Sequence, residues 1–205
     1  MDKLKALQKI KQEMLKDNSL PLKKEATNLV FGDGNPNAEI FFLGEGPGYW
    51  EDQKGIPFVG NAGSLLNQLL RLINIKREDV FITNVIHYRP PANRDPTPEE
   101  IEAFSPYLDR IIAVINPKVF VTLGRFSMGK FLPNARISSV HGKVHKVNWR
   151  GRKITVVPMY HPAAALRNND ILRQIKEDFL KLPEILEKAR ELEKPEQEVK
   201  QMQLI

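Results

Sequence analysis

The chain has 205 residues, enough for one compact domain with a sizeable core, and its 41% hydrophobic content is that of an ordinary globular protein. Thirty-one Lys and Arg against 25 Asp and Glu give a formal net charge of +6, which favours a polyanionic partner and, because the excess is spread out, a basic face rather than a basic tail. With no cysteine the chain is excluded from disulfides, thiol catalysis and cysteine-held metal or iron–sulfur sites, and no apolar run approaches the ~20 residues that span a bilayer.

The first stretch, MDKLKALQKIKQEMLKD, is charged throughout and has no apolar segment of the signal-peptide kind, so a cytoplasmic protein is expected. Leu4, Leu7, Ile10 and Met14 recur at helical spacing and predict a helix over 2–17. Residues 18–29 are polar and contain Pro21, as a loop does. AEIFFLG, 38–44, is nearly continuous apolar sequence and suits a central strand buried on both faces. AGSLLNQLLRLIN, 62–74, returns to helical period, and DVFITNVI, 79–86, is a second strand. The Pro-rich loop 88–101 leads into Thr97-Pro98-Glu99-Glu100, a helix start with a cap, a proline at the first position and a glutamate at the third. That helix runs to about Ile115. KVFVTLG, 118–124, is a third strand, and RFSMGKFL begins another helix. Residues 143–162 read as a hairpin turning at Arg150-Gly151 into a fourth buried strand, and 170–192 as one amphipathic helix.

Strands alternating with helices predict an α/β domain with a largely parallel sheet, and in such sheets ligands sit beyond the carboxyl ends of the strands. Four clusters fall at such ends: Gly44–Gly48, Asn84–Arg89, Gly124–Arg125 and His161–Arg167. The loop GEGPG lacks the spacing of a dinucleotide fingerprint and no Gly-Lys-Ser/Thr follows. Pro47 removes a donor, Glu45 and Glu51 repel phosphate, and the N–H groups of Glu45, Gly46 and Gly48 suit a neutral planar group with carbonyl oxygens; a plain tight turn after the strand fits the same residues. Phe58 is either core or a stacking platform. Asn84 is either a strand-closing turn residue or a reader of one base edge, since its amide both donates and accepts. His161 is either a cap or a donor to a developing anion. Together the three supply a π-face, an edge reader and an electrophile. His141 and His145 have no spacing that makes a zinc site, so no metal is expected.

The segments GEGPGYWEDQKGIPFVGNAGSLL, FITNVIHYRPP and VVPMYHPAAALR resemble the uracil-DNA glycosylase superfamily, specifically its family 4, over about residues 20–182. The resemblance implies a three-layer α/β/α sandwich with a four-stranded parallel central sheet, formed by a single domain over 1–185 with a charged tail over 186–205. It implies an enzyme that flips uracil out of DNA and hydrolyses its N-glycosidic bond, starting base excision repair. Gly44, Glu45 and Gly46 would lie against the base, Phe58 would stack on it, Asn84 would pair with its N3–H and O4, and His161 would stabilise the leaving anion. Glu51 would crowd C5 and exclude thymine. Arg89, Ala164, Leu166 and Arg167 would meet the DNA, Leu166 as the wedge. Where better-known relatives carry a water-positioning Asp, this chain has Gly46.

Family 4 members usually hold a [4Fe–4S] cluster on four cysteines. Their places here are Asp17, Leu20, Tyr88 and Ser105, none of which is a thiolate, so the cluster is expected to be absent and Leu20, Leu22 and Tyr88 to form an apolar clasp instead. The last residues, QMQLI, resemble a bacterial sliding-clamp binding peptide through Gln201, Met202, Leu204 and Ile205. Two further readings stay open: a relative acting on another deaminated base or holding uracil-DNA with little turnover, and a DNA-binding module that kept the fold. A monomer is expected.

Overall fold

The computed structural model describes residues 2–192. The chain opens with α1 (Lys3–Lys16), whose first turn is capped by the Asp2 carboxylate accepting the Lys5 N–H. Next come β1 (Asp33–Gly34), β2 (Ile40–Gly44), α2 (Tyr49–Lys54), α3 (Asn61–Leu72) and β3 (Phe81–Asn84). α4 (Pro98–Ile115) begins with the predicted capping box: Thr97 Oγ1 accepts the Glu100 N–H, and the Glu100 carboxylate accepts the Thr97 N–H. The remainder is β4 (Val119–Leu123), α5 (Arg125–Gly129), α6 (Ile137–Val140), β5 (His145–Trp149), β6 (Arg152–Met159), α7 (Pro162–Ala165), α8 (Asn169–Leu180) and α9 (Leu182–Glu191).

The strand order is β1-β3-β2-β4-β6-β5. β3, β2, β4 and β6 run parallel, as the resemblance implies, and β1 and β5 add an antiparallel strand at each edge, making six. β5 is the first arm of the hairpin, whose turn residues Arg150 and Gly151 both take positive φ. The chain leaves β2 through α3 on one face and leaves β3 through α4 on the other. The connections therefore diverge beside β2, which opens a crevice at the carboxyl ends of the central strands.

Two apolar clusters sandwich the sheet. Alternate strand residues decide the face: Phe41, Leu43, Phe120, Ile154 and Val156 meet α1 and α4, whereas Ile40, Phe42, Val121, Val157 and Met159 meet α3, α8 and α9. All five residues of β2 and of β4 are buried, which is why these strands read as unbroken apolar runs.

Three sequence expectations change in detail. Leu4 is exposed, because α1 runs antiparallel to α4 and its first turn sits at the end of α4, where Lys3 Nζ donates to the Ile115 carbonyl. The helix expected over 170–192 is two helices, since Pro183 in the first turn of α9 has no N–H to continue the ladder of α8. Residues 186–191, expected in the tail, belong to α9, and Leu186 and Ala189 are buried against the sheet. The peptide Gln201, Met202, Leu204 and Ile205 lies outside the described residues.

Candidate active site

The four parallel strands deliver their following loops to one edge, where a cleft of about 400 Å³ opens. Its walls come from the loop after β2 (Glu45, Gly46, Pro47, Gly48), from Glu51 of α2, from Phe58 and Ala62, from Asn84 and Ile86, from Pro90 and Asn93–Pro96, and from His161, Ala163 and Arg167. The size and the mixed polar and apolar lining suit a small flat ligand.

Asn84 ends β3 opposite Gly44 in the ladder and is fully buried. Its Oδ1 has no hydrogen-bond partner among the described residues. An unsatisfied buried acceptor costs about 1–3 kcal/mol, so this one is poised for a donor that enters the cleft. Gly44 lets the cluster close: a Cβ there would collide with Asn84 Oδ1 and with the Phe58 ring. Phe58 itself holds a left-handed backbone, φ 52°, a conformation that strains a non-glycine residue by roughly 1–2 kcal/mol. Arg77 holds it there. Its guanidinium donates to the Pro57 carbonyl at 2.6 Å and to the Phe58 carbonyl and Asn67 Oδ1 at 3.2 Å, while Nε reaches Asp33 at 3.3 Å.

His161 stands one residue past the Tyr160 that follows β6 and stacks on Phe58, ring centroids 5.6 Å apart and planes 29° apart. The Ala163 N–H donates to its Nδ1 at 3.1 Å, so in the neutral ring the proton sits on Nε2. Enclosure by protein pushes its pKa down to about 4, against a smaller upward pull from the Glu51 carboxylate. His161 is therefore a neutral donor at physiological pH. Its Nε2 has no partner among the described residues.

Two carboxylates share the cleft, and they differ. Glu51 Oε1 accepts the N–H groups of Val59 and Gly60, each at 2.8 Å, so it ties α2 to the start of α3. Glu45 turns inward instead. Desolvation raises its carboxyl above the ordinary carboxylate range, opposed by a weak bond from the Phe126 N–H at 3.4 Å and by the charge of Arg125. Gly124, φ 98°, makes the space: any Cβ there would strike the Glu45 carboxylate and approach the His161 Cβ at 3.2 Å. With two carboxylates in its walls, the cleft is unsuited to phosphate.

Of the residues singled out from sequence, Glu45, Gly46, Glu51, Phe58, Asn84, His161 and Arg167 line the cleft, and Gly44 lies beneath it. Arg89 lies outside, stacked over Tyr49 and bonded to Asn93. Ala164 is on α7 and Leu166 caps its end, both beyond the wall, with Leu166 half exposed. Sequence reading treated Glu45 as a source of backbone contacts and missed its inward carboxylate. It also passed over Arg77, whose role depends on carbonyls far from it in sequence. The segment Asn93–Pro96 reads in sequence only as part of a Pro-rich loop and not as cleft wall; Arg94 there is paired with Glu100, and Arg125 with Asp95.

A larger cavity of about 750 Å³ lies between α4 and the β5–β6 hairpin, walled by Leu108, Phe126 and Trp149, and holds none of Phe58, Asn84 and His161. The described residues contain no cluster of His, Asp and Glu fit to hold a metal ion, and no helix long and apolar enough to cross a membrane. The four positions that the resemblance assigns to a cluster do not fit an iron–sulfur group. Asp17 Oδ2 accepts the Tyr107 hydroxyl at 2.7 Å, Ser105 Oγ accepts from Lys130, and Leu20 and Tyr88 are buried in the apolar layer with Phe104. Leu22 packs on the same layer.

Residues 31–183 match the family model described as "Uracil DNA glycosylase superfamily". The chain is 47% identical over 186 residues to a type-4 uracil-DNA glycosylase of Sulfurisphaera tokodaii, covering 88% of this chain and 84% of that protein. Against a type-4 uracil-DNA glycosylase of Archaeoglobus fulgidus it is 46% identical, covering 91% and 96%. Against one of Thermotoga maritima the identity is 42%, covering 87% and 94%.

Proposed function

The chain belongs to the uracil DNA glycosylase superfamily, and from that premise we propose that it removes uracil from DNA by hydrolysing the N-glycosidic bond, leaving an abasic site for base excision repair. The observation that carries the reading is the buried, partnerless Asn84 Oδ1 set beside Phe58 and His161. A uracil extruded from the helix supplies what that oxygen lacks, an N3–H donor, while the Asn84 amide donates to O4. Extrusion of this kind is how enzymes reach a stacked base.

In the reaction the C1′–N1 bond breaks with its electron pair going to uracil, and the sugar gains oxocarbenium character. The His161 Nε2–H donates to the anion that forms at O2. A neutral imidazole suffices because uracil leaves as an anion held by a hydrogen bond, without prior protonation. Water attacks C1′ and gives up a proton. Glu45 is the group we assign to orient that water and accept the proton; its inward carboxylate and raised pKa suit a base in this wall. Glu51, fixed by two N–H donors, crowds the C5 side and discriminates against thymine. Arg89, Ala164, Leu166 and Arg167 meet the DNA, with the half-exposed Leu166 as the wedge. No step passes through an iron–sulfur cluster, since no thiolate exists to hold one.

On the same reading the enzyme works in the cytoplasm as a monomer, and Gln201, Met202, Leu204 and Ile205 dock on a sliding clamp. Deleting 201–205 should abolish clamp binding with activity intact; retained clamp binding refutes that part. The main test is an oligonucleotide holding one U·G pair, followed by alkaline cleavage of abasic sites. Wild-type protein should cut at uracil, and His161→Ala should be slower by about 100–1000-fold, the usual effect of losing one donor to a developing anion. Asn84→Asp should begin to accept cytosine. Binding of uracil-DNA without cutting would replace hydrolysis with capture.

A further inference from the structure

α2 begins with Tyr49 and Trp50, which are 49% and 56% exposed. Neither belongs to the apolar clusters that hold the fold together. The two rings meet edge to face with centroids 5.1 Å apart, and Arg89 lies over the tyrosine ring at 5.3 Å. The pair is inserted between Gly48 and Glu51, both in the cleft wall, and the indole Cδ1 passes over Gly60 at the start of α3. An exposed aromatic step, backed by a cation and continuous with the cleft rim, is unexplained by folding.

Resting on the DNA reading above, we propose that Tyr49 and Trp50 form a stacking platform for an unpaired base next to the target uracil, a subsite used by single-stranded DNA. The chemistry favours nucleic acid as the occupant. A base presents a flat π-face to the indole, and its phosphate falls within reach of Arg89, whose guanidinium already marks this rim as cationic. Strandedness follows from stacking. In a duplex the neighbours of an extruded base remain paired and stacked, so the platform has nothing to receive. In a single strand the neighbouring base has lost its stack, and the aromatic step replaces it.

The test uses the full chain. Trp50 and Trp149 are the only tryptophans, so Trp149→Phe leaves Trp50 as the sole indole reporter. This variant is titrated with an oligonucleotide carrying a non-cleavable uracil nucleotide, once as a single strand and once as a duplex. The platform requires strong quenching of Trp50 fluorescence by the single strand and little by the duplex. In parallel, Trp50→Ala should weaken single-strand binding by roughly 5- to 150-fold and duplex binding by less than about twofold, with Trp50→Phe restoring part of the loss. Absent quenching, or equal losses on both DNAs, overturns the platform even if uracil is cut normally. If wild-type protein cuts neither DNA but the single strand still quenches Trp50, the platform stands and hydrolysis falls.

Discussion

The cleft and the clasp that joins α1 to α4 lie on one small domain, yet they treat polar groups in opposite ways. In the clasp Asp17, Glu13 and Lys23 each have partners. Asp17 takes the Tyr107 hydroxyl and the Ser19 hydroxyl, Glu13 takes Arg110 at 2.5 Å, and Lys23 caps the Leu15 and Asp17 carbonyls. Burial and the Asp17 charge raise the Tyr88 phenol, and burial, then Asp17, push Tyr107 up to about 12, so both stay neutral and Tyr107 remains a donor to Asp17. In the cleft, by contrast, Asn84 Oδ1 is unpartnered, Phe58 is strained, Glu45 is raised and His161 is lowered. A satisfied network stabilises the fold; an unsatisfied one keeps free energy available for a ligand.

The sharpest way to break this contrast is at Glu45. Its working form is the carboxylate, so activity should fall as pH drops through its pKa, which lies above the ordinary 4.5, and Glu45→Gln should lose about 100- to 10,000-fold in turnover with a melting temperature equal to or above wild type. A pH–rate profile together with thermal melts checks both halves; a lost fold would make the carboxylate structural instead. Leu20→Ala should act in the reverse sense. It should remove about 2–3 kcal/mol of stability and open residues 17–31 to protease, while turnover of the folded fraction holds. Protection from protease equal to wild type would remove Leu20 from the clasp.

Arg77→Ala should blur the boundary, because it frees the strained Phe58 loop without touching the ligand. We expect about a tenfold loss in kcat/KM, most of it in KM, from initial rates over a range of substrate concentration. The gentlest perturbations test stability alone. Fully buried His87 and His161, enclosed in the cleft wall, each have a pKa lowered to about 4 from 6.5, so the unfolded chain binds more protons between those values, and stability should fall as pH falls through that window. Tyr107→Phe, which deletes one bond to Asp17, should lower stability by about 0.5–1.5 kcal/mol in denaturant melts at neutral pH.

Much of this molecule was legible in its sequence. The apolar runs of β2 and β4 announce strands buried on both faces, Thr97-Pro98-Glu99-Glu100 announces the start of α4, and the alternation of strands and helices sends Gly44, Asn84 and His161 to one edge. These features are local, written in periods of two and of 3.6 residues and in the chemistry of a single cap. The edge strand β1 was not legible, because two residues carry no period and Asp33 and Gly34 pair only through the backbone of Phe81 and Ile82. Nor was the division of labour between the two glutamates. Glu45 and Glu51 are the same residue type six positions apart; only the fold gives one a pair of N–H donors at Val59 and Gly60 and turns the other into a desolvated wall made possible by Gly124. Arg77 shows the same limit, since its four partners lie 10 to 44 residues away. Composition and periodicity determined the layers, the sheet and the edge where chemistry collects; protonation, strain and unsatisfied bonds were decided by the tertiary structure, because each depends on which distant groups exclude water from a given atom.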